Sequence, residues 1–329
     1  MINPGLNKYE VVLDNKYFLR EVVESITLDD NIDEIAYRAN VRIVITPDFP
    51  GIAPGQEARV SGIRFGESNM MPLLHPGVVW DCDSQTAGIK HLDATIYDKT
   101  IYIAKSEDEY LFPAGQTATQ RLNKYAADWG IQLGQIADTT IPLAKAVYRA
   151  QPIYNMIMAD LKETVKKGGE MYKPRMTPSG LELTKLGSNQ TVWMLELDQN
   201  VQDLGQKRTL EGAVTQVKVL GNASEDKRSP VLALVKGETA KYGTLQKILS
   251  DQKITNAGQA KTEGEKLLSG IQETFSVQGI DINTIRAGDK VQLNSADVLV
   301  ISAKHELGSP GKMTLELSWE DYIRRKYYA

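Results

Sequence analysis

Residues 117–186 carry apolar side chains at helical intervals, and helix-boundary residues stand on both sides of each apolar segment. Thr117 and Gln120 have the spacing of a capping box, in which each side chain hydrogen-bonds the other residue's backbone N–H. Gly130 follows and suits the left-handed conformation that ends many helices. The pattern therefore predicts a first helix, whose buried face consists of Leu122, Tyr125, Ala126 and Trp129.

A second helix is predicted after Pro152, because proline is favoured in the first helical turn, and Gly168 ends it. Its apolar stripe consists of Ile153, Met156, Ile157, Leu161 and Val165. Residues 171–177 and 181–186 then flank a Pro-Ser-Gly turn and predict a hairpin. We interpret residues 116–187 as a separable α/β module, with a core built on Leu122, Trp129, Ile157 and Leu161.

Apolar and polar side chains alternate before the module, most clearly over residues 36–45, as is typical of half-buried strands. The strands predicted here span residues 17–28, 36–45, 57–65, 78–82, 91–97 and 100–104. The Gly/Pro/Met-rich residues 66–77 are predicted to form a surface excursion. Residues 1–115 are therefore expected to be an all-β section.

The residues after the module return to strand patterns. The predicted strands span residues 191–198, 209–221, 230–236, 275–280, 290–293, 298–304 and 312–319. A helix is predicted over residues 243–271, although Gly258 and Gly264 in its interior cost about 1 kcal/mol each. The fold class is therefore β-rich α+β, with a second β section at 188–236 and 275–329 and a small helical insertion at 237–274.

Composition describes a water-soluble globular protein of 329 residues, with 42% apolar and 24% charged residues and a formal net charge of −4. Residues 1–115 carry 10 basic against 18 acidic residues, and residues 116–187 carry 10 against 6. This balance argues against a general nucleic-acid or membrane-surface binder. We expect no signal peptide and no stable membrane association, since no apolar run reaches membrane length.

The candidate chemical sites are weak. A single cysteine, Cys82, excludes an intrachain disulfide and a multi-thiolate zinc site, and its acidic neighbours oppose a reactive thiolate. His75, His91 and His305 are too scattered for a short metal motif. The acids of residues 106–109, including Glu107, lie in a polar turn rather than the apolar setting that a glycosidase acid needs.

Residues 29–34 partly match a calcium loop, with Asp29, Asn31 and Asp33 as the first ligands. The sixth position is Glu34 rather than glycine and the twelfth is Asn40 rather than glutamate, so a solvated connection is the preferred interpretation. The basic and aromatic tail, residues 322–328, suits docking to a protein or contact with nucleic acid. We predict no enzyme activity and no catalytic, cofactor-binding or metal-binding residues.

Four segments resemble the baseplate hub proteins of phages and defective prophages of the PBSX type (XkdQ-like). They are GVVW at 77–80, TIYDKTIYIAKS at 95–106, DWGI at 128–131 and KKGG at 166–169. The similarity runs through most of the chain and is densest over residues 77–186.

The resemblance implies two β-barrel domains related to tail-tube subunits, an α/β module between them and an insertion in the second barrel. It implies a homotrimer with six similar barrels, which joins a six-fold tail tube to a three-fold spike and surrounds an axial channel. The implied partners are the tube protein, the spike protein and other baseplate proteins, with DNA only as passing cargo. The implied location is the host cytoplasm during synthesis and the tail baseplate afterwards.

Two other functions stay open. A cell-wall or carbohydrate-binding β protein would need an exposed aromatic platform, which the scattered Trp80, Trp129, Trp193 and Trp319 do not clearly provide. A cell-wall hydrolase would need a pocket with convergent polar groups. If the hub interpretation is right, the long proline-free strands 17–28, 36–45 and 312–319 are the expected edges for contacts between subunits.

Overall fold

The computed structural model describes residues 4–87, 89–222, 228–251 and 254–328. The chain forms two compact units, one of Met1–Gly205 with Phe275–Ala329 and the other of Gln206–Thr274. Strands dominate and helices are few, so the β-rich α+β fold class is confirmed.

Over residues 4–105, the described part of the chain forms a 3₁₀-helix (Pro4–Leu6), seven strands and one short α-helix. Alternation explains the strands: in β4, Ala39, Val41 and Ile43 are buried, while the residues between them are not. The elements are β1 (Tyr9–Leu13), β2 (Tyr17–Phe18), β3 (Val23–Asn31), β4 (Arg38–Val44), β5 (Glu57–Ile63), β6 (Met70–Ala87), β7 (Ile89–Asp98) and α1 (Ile101–Lys105).

Two predicted boundaries in this section are wrong. Residues 17–28 are not one strand, because the chain turns at Leu19, whose carbonyl accepts hydrogen bonds from the N–H groups of Val22 and Val23. The strand predicted over residues 100–104 is instead helix α1 (Ile101–Lys105), with Thr100 as its N-cap residue. The Asp98 carboxylate accepts the Thr100 N–H at 2.9 Å and so starts the turn of this helix.

The predicted surface excursion over residues 66–77 is also wrong, since β6 begins at Met70. Proline and glycine in this segment concealed a paired strand from the sequence pattern. Gly77 is required there because a Cβ atom would lie 2.7 Å from the carbonyl oxygen of Ala58 on β5. A close approach between backbones, rather than a loop, explains this glycine.

The two predicted helices and the predicted hairpin of the module are present. The elements over residues 107–185 are β8 (Glu107–Phe112), α2 (Ala118–Asp128), β9 (Leu133–Ile136), β10 (Ala146–Pro152), α3 (Ile153–Lys166), β11 (Tyr172–Thr177) and β12 (Gly180–Lys185). Strands β8, β9 and β10 were not predicted, and β8 lies before residue 116, where the module was expected to begin. The capping box is present, with Gln120 N–H donating to Thr117 Oγ1 at 3.3 Å and Thr117 N–H donating to Gln120 Oε1 at 3.0 Å. Strand β8 pairs with β10, and β12 lies between β9 and β11.

The predicted core of the module is right at three positions and wrong at the fourth. Leu122, Ile157 and Leu161 are buried, whereas Trp129 is 40% exposed. Trp129 is the residue that caps the C-terminus of α2, where the last turn no longer faces the core, and its Nε1–H donates to Asp108 Oδ2 at 3.0 Å. The acids Glu107, Asp108 and Glu109, which were predicted to lie in a polar turn, belong to strand β8.

Two strands lead from the module to the second unit, β13 (Trp193–Leu195) and β14 (Val201–Thr209). The second unit contains β15 (Gln216–Leu220), β16 (Val231–Lys236), α4 (Thr239–Tyr242), β17 (Gln246–Ser250) and α5 (Ala257–Leu267). Strand β15 is central, antiparallel to β16 and parallel to β17. The core of the unit joins Val217, Val219 and Val235 of the sheet to Ala260 of α5.

The single helix predicted over residues 243–271 is wrong, because this segment contains strand β17 before helix α5. The helix begins where Asn256 Oδ1 accepts the Gln259 N–H at 2.9 Å. Gly264 has a packing role, since a Cβ atom there would lie 2.7 Å from Val235 Cγ2. The compact unit starts at Gln206, earlier than the insertion predicted from residue 237.

The chain then returns to the first unit through β18 (Gln272–Ile280), β19 (Lys290–Leu293), β20 (Ala296–Glu306), β21 (Lys312–Ser318) and helix α6 (Glu320–Tyr327). The large sheet has the order β14-β18-β21-β20-β3-β4-β7-β6-β5-β1-β2, with β19 beside β20 and β13 beside β19. Strands from both ends of the chain therefore belong to one sheet.

Candidate assembly site

Strand β3 of the N-terminal section pairs directly with strand β20 of the C-terminal section. The pairing is antiparallel and runs from Ser302 opposite Asn31 to Glu306 opposite Thr27. The two β sections, which lie far apart in the sequence, thus share a continuous sheet within one chain.

The buried carboxylate of Asp30 lies beside this pairing and connects three parts of the chain. Its Oδ1 accepts a hydrogen bond from Lys173 Nζ of the module at 3.0 Å. Its Oδ2 accepts hydrogen bonds from Arg286 Nε at 2.5 Å and from Ala287 N–H at 3.2 Å, both from the C-terminal section. We call Asp30, Lys173 and Arg286 the central ion cluster.

The electrostatics of this cluster favour an ionised carboxylate. Burial acts to raise the pKa of Asp30, but the positive charges of Arg286 and Lys173 outweigh burial and hold that pKa below its usual range. Each charge is inaccessible or nearly so, and an unpaired buried charge is strongly destabilising. The cluster therefore makes the relative placement of the three segments costly to change.

The Arg286 side chain also packs against an aromatic ring. Its guanidinium carbon lies 3.6 Å from the centre of the Tyr37 ring, a close cation–π contact. The Tyr37 N–H donates to Asp98 Oδ2 at 3.0 Å. Burial raises the pKa of Asp98 to about 6, although its hydrogen bonds from Thr100 and Tyr37 act in the opposite direction.

The module is attached to the C-terminal section by further polar contacts. Arg175 Nη2 lies 3.1 Å from Asp289 Oδ1 and donates to the Ala287 carbonyl at the same distance. The Tyr328 hydroxyl donates to the Tyr172 carbonyl at 2.7 Å, and Ile323 of α6 is fully buried. Much of the tail predicted to dock on a protein or nucleic acid thus packs against its own chain.

His305 on β20 is also used inside the fold. Its Nδ1 lies 2.7 Å from Asp281 Oδ1 and its Nε2 lies 2.8 Å from the carbonyl oxygen of Ile285. Nε2 must donate, since a carbonyl oxygen only accepts. The two contacts hold the loop that follows β18 against β20.

The other residues examined for chemistry lie apart. His91 Nδ1 lies 3.0 Å from Glu24 Oε2, and burial lowers the pKa of His75. Burial and the charge of Asp81 raise the pKa of the Cys82 thiol, which disfavours the reactive thiolate. Among the residues that the structure describes, no group of three His, Cys, Asp or Glu side chains is placed to hold a metal ion.

The possible calcium ligands lie at the end of strand β3 rather than in a free loop. Asp29 accepts a hydrogen bond from Asn40 Nδ2 at 3.0 Å and lies 3.4 Å from Arg38 Nη2. Asp29 and Asn31 are residues of β3, whereas Asp33 lies beyond the end of this strand, so the three possible ligands do not form the continuous loop that a calcium loop requires.

The exposed aromatic residues Trp80, Tyr102 and Phe65 meet neighbouring aromatic rings edge to face. The Trp80 ring is inclined at 89° to Tyr97 and at 65° to Tyr102, and Phe65 is inclined at 83° to Trp193. A sugar ring stacks on a flat aromatic face, and these pairs do not form a coplanar platform.

The strand edges differ from those predicted. Strands β3, β4 and β21, which correspond to the expected edges, each have a neighbour on both sides. The pattern of long, proline-free strands cannot distinguish a central strand from an edge strand, because both favour the same residues. The strand order ends at β14 and at the two-residue β2, which is the start of the predicted edge over residues 17–28.

A further open edge lies on β6. This strand pairs with β7 along residues 77–87 but with β5 only up to Val78. Within the described residues, 81–86 therefore have a strand partner on one side only. The one sequence feature that accompanies this edge is the interruption of the apolar pattern by Asp81 and Asp83. Such an interruption also occurs in turns, so it does not by itself predict an open edge.

None of the helices in the described part of the chain is long and apolar enough to cross a lipid bilayer. The chain is 27% identical over 240 residues to the uncharacterized protein YqbQ of Bacillus subtilis, covering 68% of this chain and 72% of YqbQ. It is 24% identical over 256 residues to the phage-like element PBSX protein XkdQ of the same organism, covering 74% of this chain and 77% of XkdQ.

Solved structures share the fold. The 43 kDa tail protein of prophage MuSo2 from Shewanella oneidensis matches with a TM-score of 0.74 at 13% identity, covering 96% of this chain and 99% of that one. The E. coli c3393 protein, a type VI secretion component described as similar to the T4 tail proteins gp27 and gp5, matches with a TM-score of 0.57 at 10% identity, covering 95% and 78%. The YqbQ-like family model matches residues 63–318, most of the chain, and the chain therefore belongs to the YqbQ-like family.

Proposed function

We propose that this chain is the structural hub of a baseplate in a contractile phage tail or phage-tail-like particle. Three copies would surround an axial channel, and each would contribute two similar β-barrels. The observation that carries the proposal is the β3–β20 pairing, which places an N-terminal and a C-terminal β section side by side in one sheet. Three such chains supply six β sections, the number needed to join a six-fold tube to a three-fold spike.

The relatives support a location in a tail. XkdQ is named for a phage-like element, and the MuSo2 protein is named as a tail protein. The c3393 protein is described by its likeness to gp27 and gp5 of a phage tail. This chain spans nearly the whole of the MuSo2 protein, so the likeness concerns the complete fold rather than one domain.

We assign residues 1–115 to the first barrel and residues 116–187 to the α/β module. The second barrel comprises residues from 188 onward and residues 275–329. It is interrupted by the insertion, which the sequence predicts at 237–274 and which we extend to the compact unit Gln206–Thr274. In this arrangement the central ion cluster fixes the two barrels and the module to one another.

The proposed partners are two further copies of the chain, the tube protein, the spike protein and neighbouring baseplate proteins. DNA passes through the channel as cargo. The acidic balance of residues 1–115, 10 basic against 18 acidic residues, suits a channel to which DNA does not adhere. The chain is expected to be made in the host cytoplasm and then incorporated into the particle.

The proposal excludes catalysis. Purified protein should leave peptidoglycan and glycans unchanged, and variants at Cys82, His91 or Glu107 should behave as the unmodified chain does. A cell-wall or carbohydrate-binding protein is the second candidate, and the edge-to-face packing of the exposed aromatic rings disfavours it. Binding of the isolated chain to cell-wall glycans, lost on Trp80→Ala, would favour that candidate instead.

The deciding experiment counts the copies of this chain in the intact baseplate by cryo-electron microscopy along the particle axis. Three copies with six β-barrels in a ring are expected. Six copies or one copy would overturn the proposal. The tail tube of the same particle, whose symmetry the same images reveal, serves as the internal reference.

A further inference from the structure

We propose that neighbouring copies of this chain join through two particular strand edges. The open edge of β6 at residues 81–86 of one copy pairs with the outer edge of β14 on the next copy. The strands run antiparallel, and Asp83 lies opposite Lys207. This inference rests on the proposed function, because it names the contact that would close the trimer.

Within the large sheet, the strand order limits which edges can reach another copy. The β3–β20 pairing joins the two β sections inside each chain, so those strands have no edge left for a partner. The order ends at β14 on the C-terminal side and at β2 on the N-terminal side. Strand β2 has only two residues and offers little backbone for pairing. The β6 segment is the longer open edge of the N-terminal section.

The β6 segment is suited to accept a strand. It contains no proline, and the Cys82 N–H donates to the side chain of Asp81 at 3.0 Å rather than to β7. A backbone donor that is satisfied only by a neighbouring side chain is available to an added strand. The side chains of Asp81, Asp83, Ser84, Gln85 and Thr86 are all exposed.

The β14 edge has the opposite charge at one end. It pairs with β18, and from Gln202 onward its other side has no strand partner among the described residues. Lys207 and Arg208 are exposed, and Arg208 lies 2.5 Å from Glu273. The charge of Lys207 points to an acidic neighbour, and the β6 edge supplies Asp83.

Antiparallel pairing with Asp83 opposite Lys207 places Gln85 opposite Gly205. Opposite charges in directly facing positions stabilise a strand pair, and like charges destabilise it. Charge therefore favours a register in which Asp83 faces Lys207, and the antiparallel direction is part of the proposal that the cross-linking below tests.

The two edges differ, so the contact is heterologous: each copy offers β6 to one neighbour and β14 to the other. Heterologous contacts close into rings when the rotation between copies completes a circle. With three copies, contacts within chains (β3–β20) would alternate with contacts between chains (β6–β14). Added main-chain hydrogen bonds supply affinity, as in other cases of strand addition.

The test uses disulfide cross-linking in assembled particles, in a Cys82→Ser background. One tagged copy carries Asp83→Cys and a second copy carries Lys207→Cys. A disulfide forms only where the two Cα atoms lie within about 7 Å. Covalent dimers of the two different variants are expected, and a chain carrying both cysteines should give a covalent trimer. Asp48→Cys, in an exposed loop, replaces Asp83→Cys in the control and should give no dimer with Lys207→Cys.

Charge reversal provides a second measurement. Asp83→Lys should raise the dissociation constant of the trimer about threefold to fivefold, and adding Lys207→Asp should restore it. If the baseplate contains three copies but the cross-linking does not exceed that of the Asp48→Cys control, this inference is wrong and the proposed function still holds. Cross-links between two Asp83→Cys copies would overturn it as well. A copy number other than three would overturn both.

Discussion

Lys173 and Asp30, 143 positions apart in the sequence, form an ion pair in the interior, with Lys173 Nζ 3.0 Å from Asp30 Oδ1. Arg286, from the C-terminal section of the chain, donates a hydrogen bond to the other carboxylate oxygen of Asp30. A single carboxylate therefore balances two buried cations that belong to different segments. The arrangement ties correct folding of the module to correct pairing of the two β sections.

Asp30→Asn should lower the free energy of unfolding by about 3–5 kcal/mol, because it leaves Lys173 and Arg286 buried beside a neutral amide. Chemical denaturation followed by tryptophan fluorescence measures the change. Asp29→Asn is the matched control on the neighbouring residue, where the partly exposed pair with Arg38 contributes about 1 kcal/mol or less. Equal effects of the two substitutions would contradict the role assigned to Asp30.

Asp98 should make stability depend on pH between about 4 and 6. Its pKa is raised from 3.8 to about 6 in the folded protein, so the folded state binds the proton more tightly than the unfolded state does. The contribution of Asp98 to stability is therefore greatest below pH 4, falls as the pH rises to about 6, and is constant above that. The loss corresponds to about 3 kcal/mol.

The measurement compares the unfolding free energy of the unmodified chain and of Asp98→Asn at several pH values. Their difference isolates Asp98, because every other carboxylate is present in both proteins. The difference should change between pH 4 and 6 and stay constant from pH 7 to 8. A difference independent of pH throughout would contradict the assigned pKa.

Local pattern was sufficient for much of this fold, because side-chain alternation and helix caps act over a few residues. The capping box at Thr117 and Gln120 and the strand around Val41 are examples, since their signals lie within the element itself. The strand around Gly77 was not predicted, because the residue that requires this glycine, Ala58, lies on another strand: its carbonyl oxygen leaves no room for a Cβ atom at position 77. The central ion cluster was missed for the same reason: nothing near Asp30 in the sequence indicates Lys173 or Arg286.

The edge strands illustrate a different limit. The residues of β3 would suit an edge strand or a central strand equally well. Alternation shows which face of a strand is buried, but not how many neighbouring strands it has, and β3 in fact has two. Pairing order is a property of the whole sheet. Only the order of strands in the sheet shows which edges are open.

Trp129→Ala should have a small effect on stability, about 1–2 kcal/mol, since the ring is 40% exposed and its main specific contact is the hydrogen bond to Asp108. Leu122→Ala should cost about 2–5 kcal/mol, because Leu122 is buried in the same helix. Thermal unfolding of both variants checks the contrast. A larger loss for Trp129→Ala than for Leu122→Ala would show that the helix presents a different face to its core.

The assembled ring should bind duplex DNA weakly. Residues 1–115 have an excess of eight acidic over basic residues, 18 against 10, and neutralisation of phosphates by Lys and Arg supplies most of non-specific DNA affinity. Fluorescence anisotropy with a labelled duplex at about 50 and 200 mM salt measures the affinity and its salt dependence.

The unassembled chain in the same buffers is the control, because it exposes the basic module and the acidic section together. We expect the ring to bind no more tightly than the free chain. Tight binding by the ring, with affinity falling by a factor of about 10³ or more between the two salt concentrations, would require a basic channel and would contradict the passage proposed for DNA.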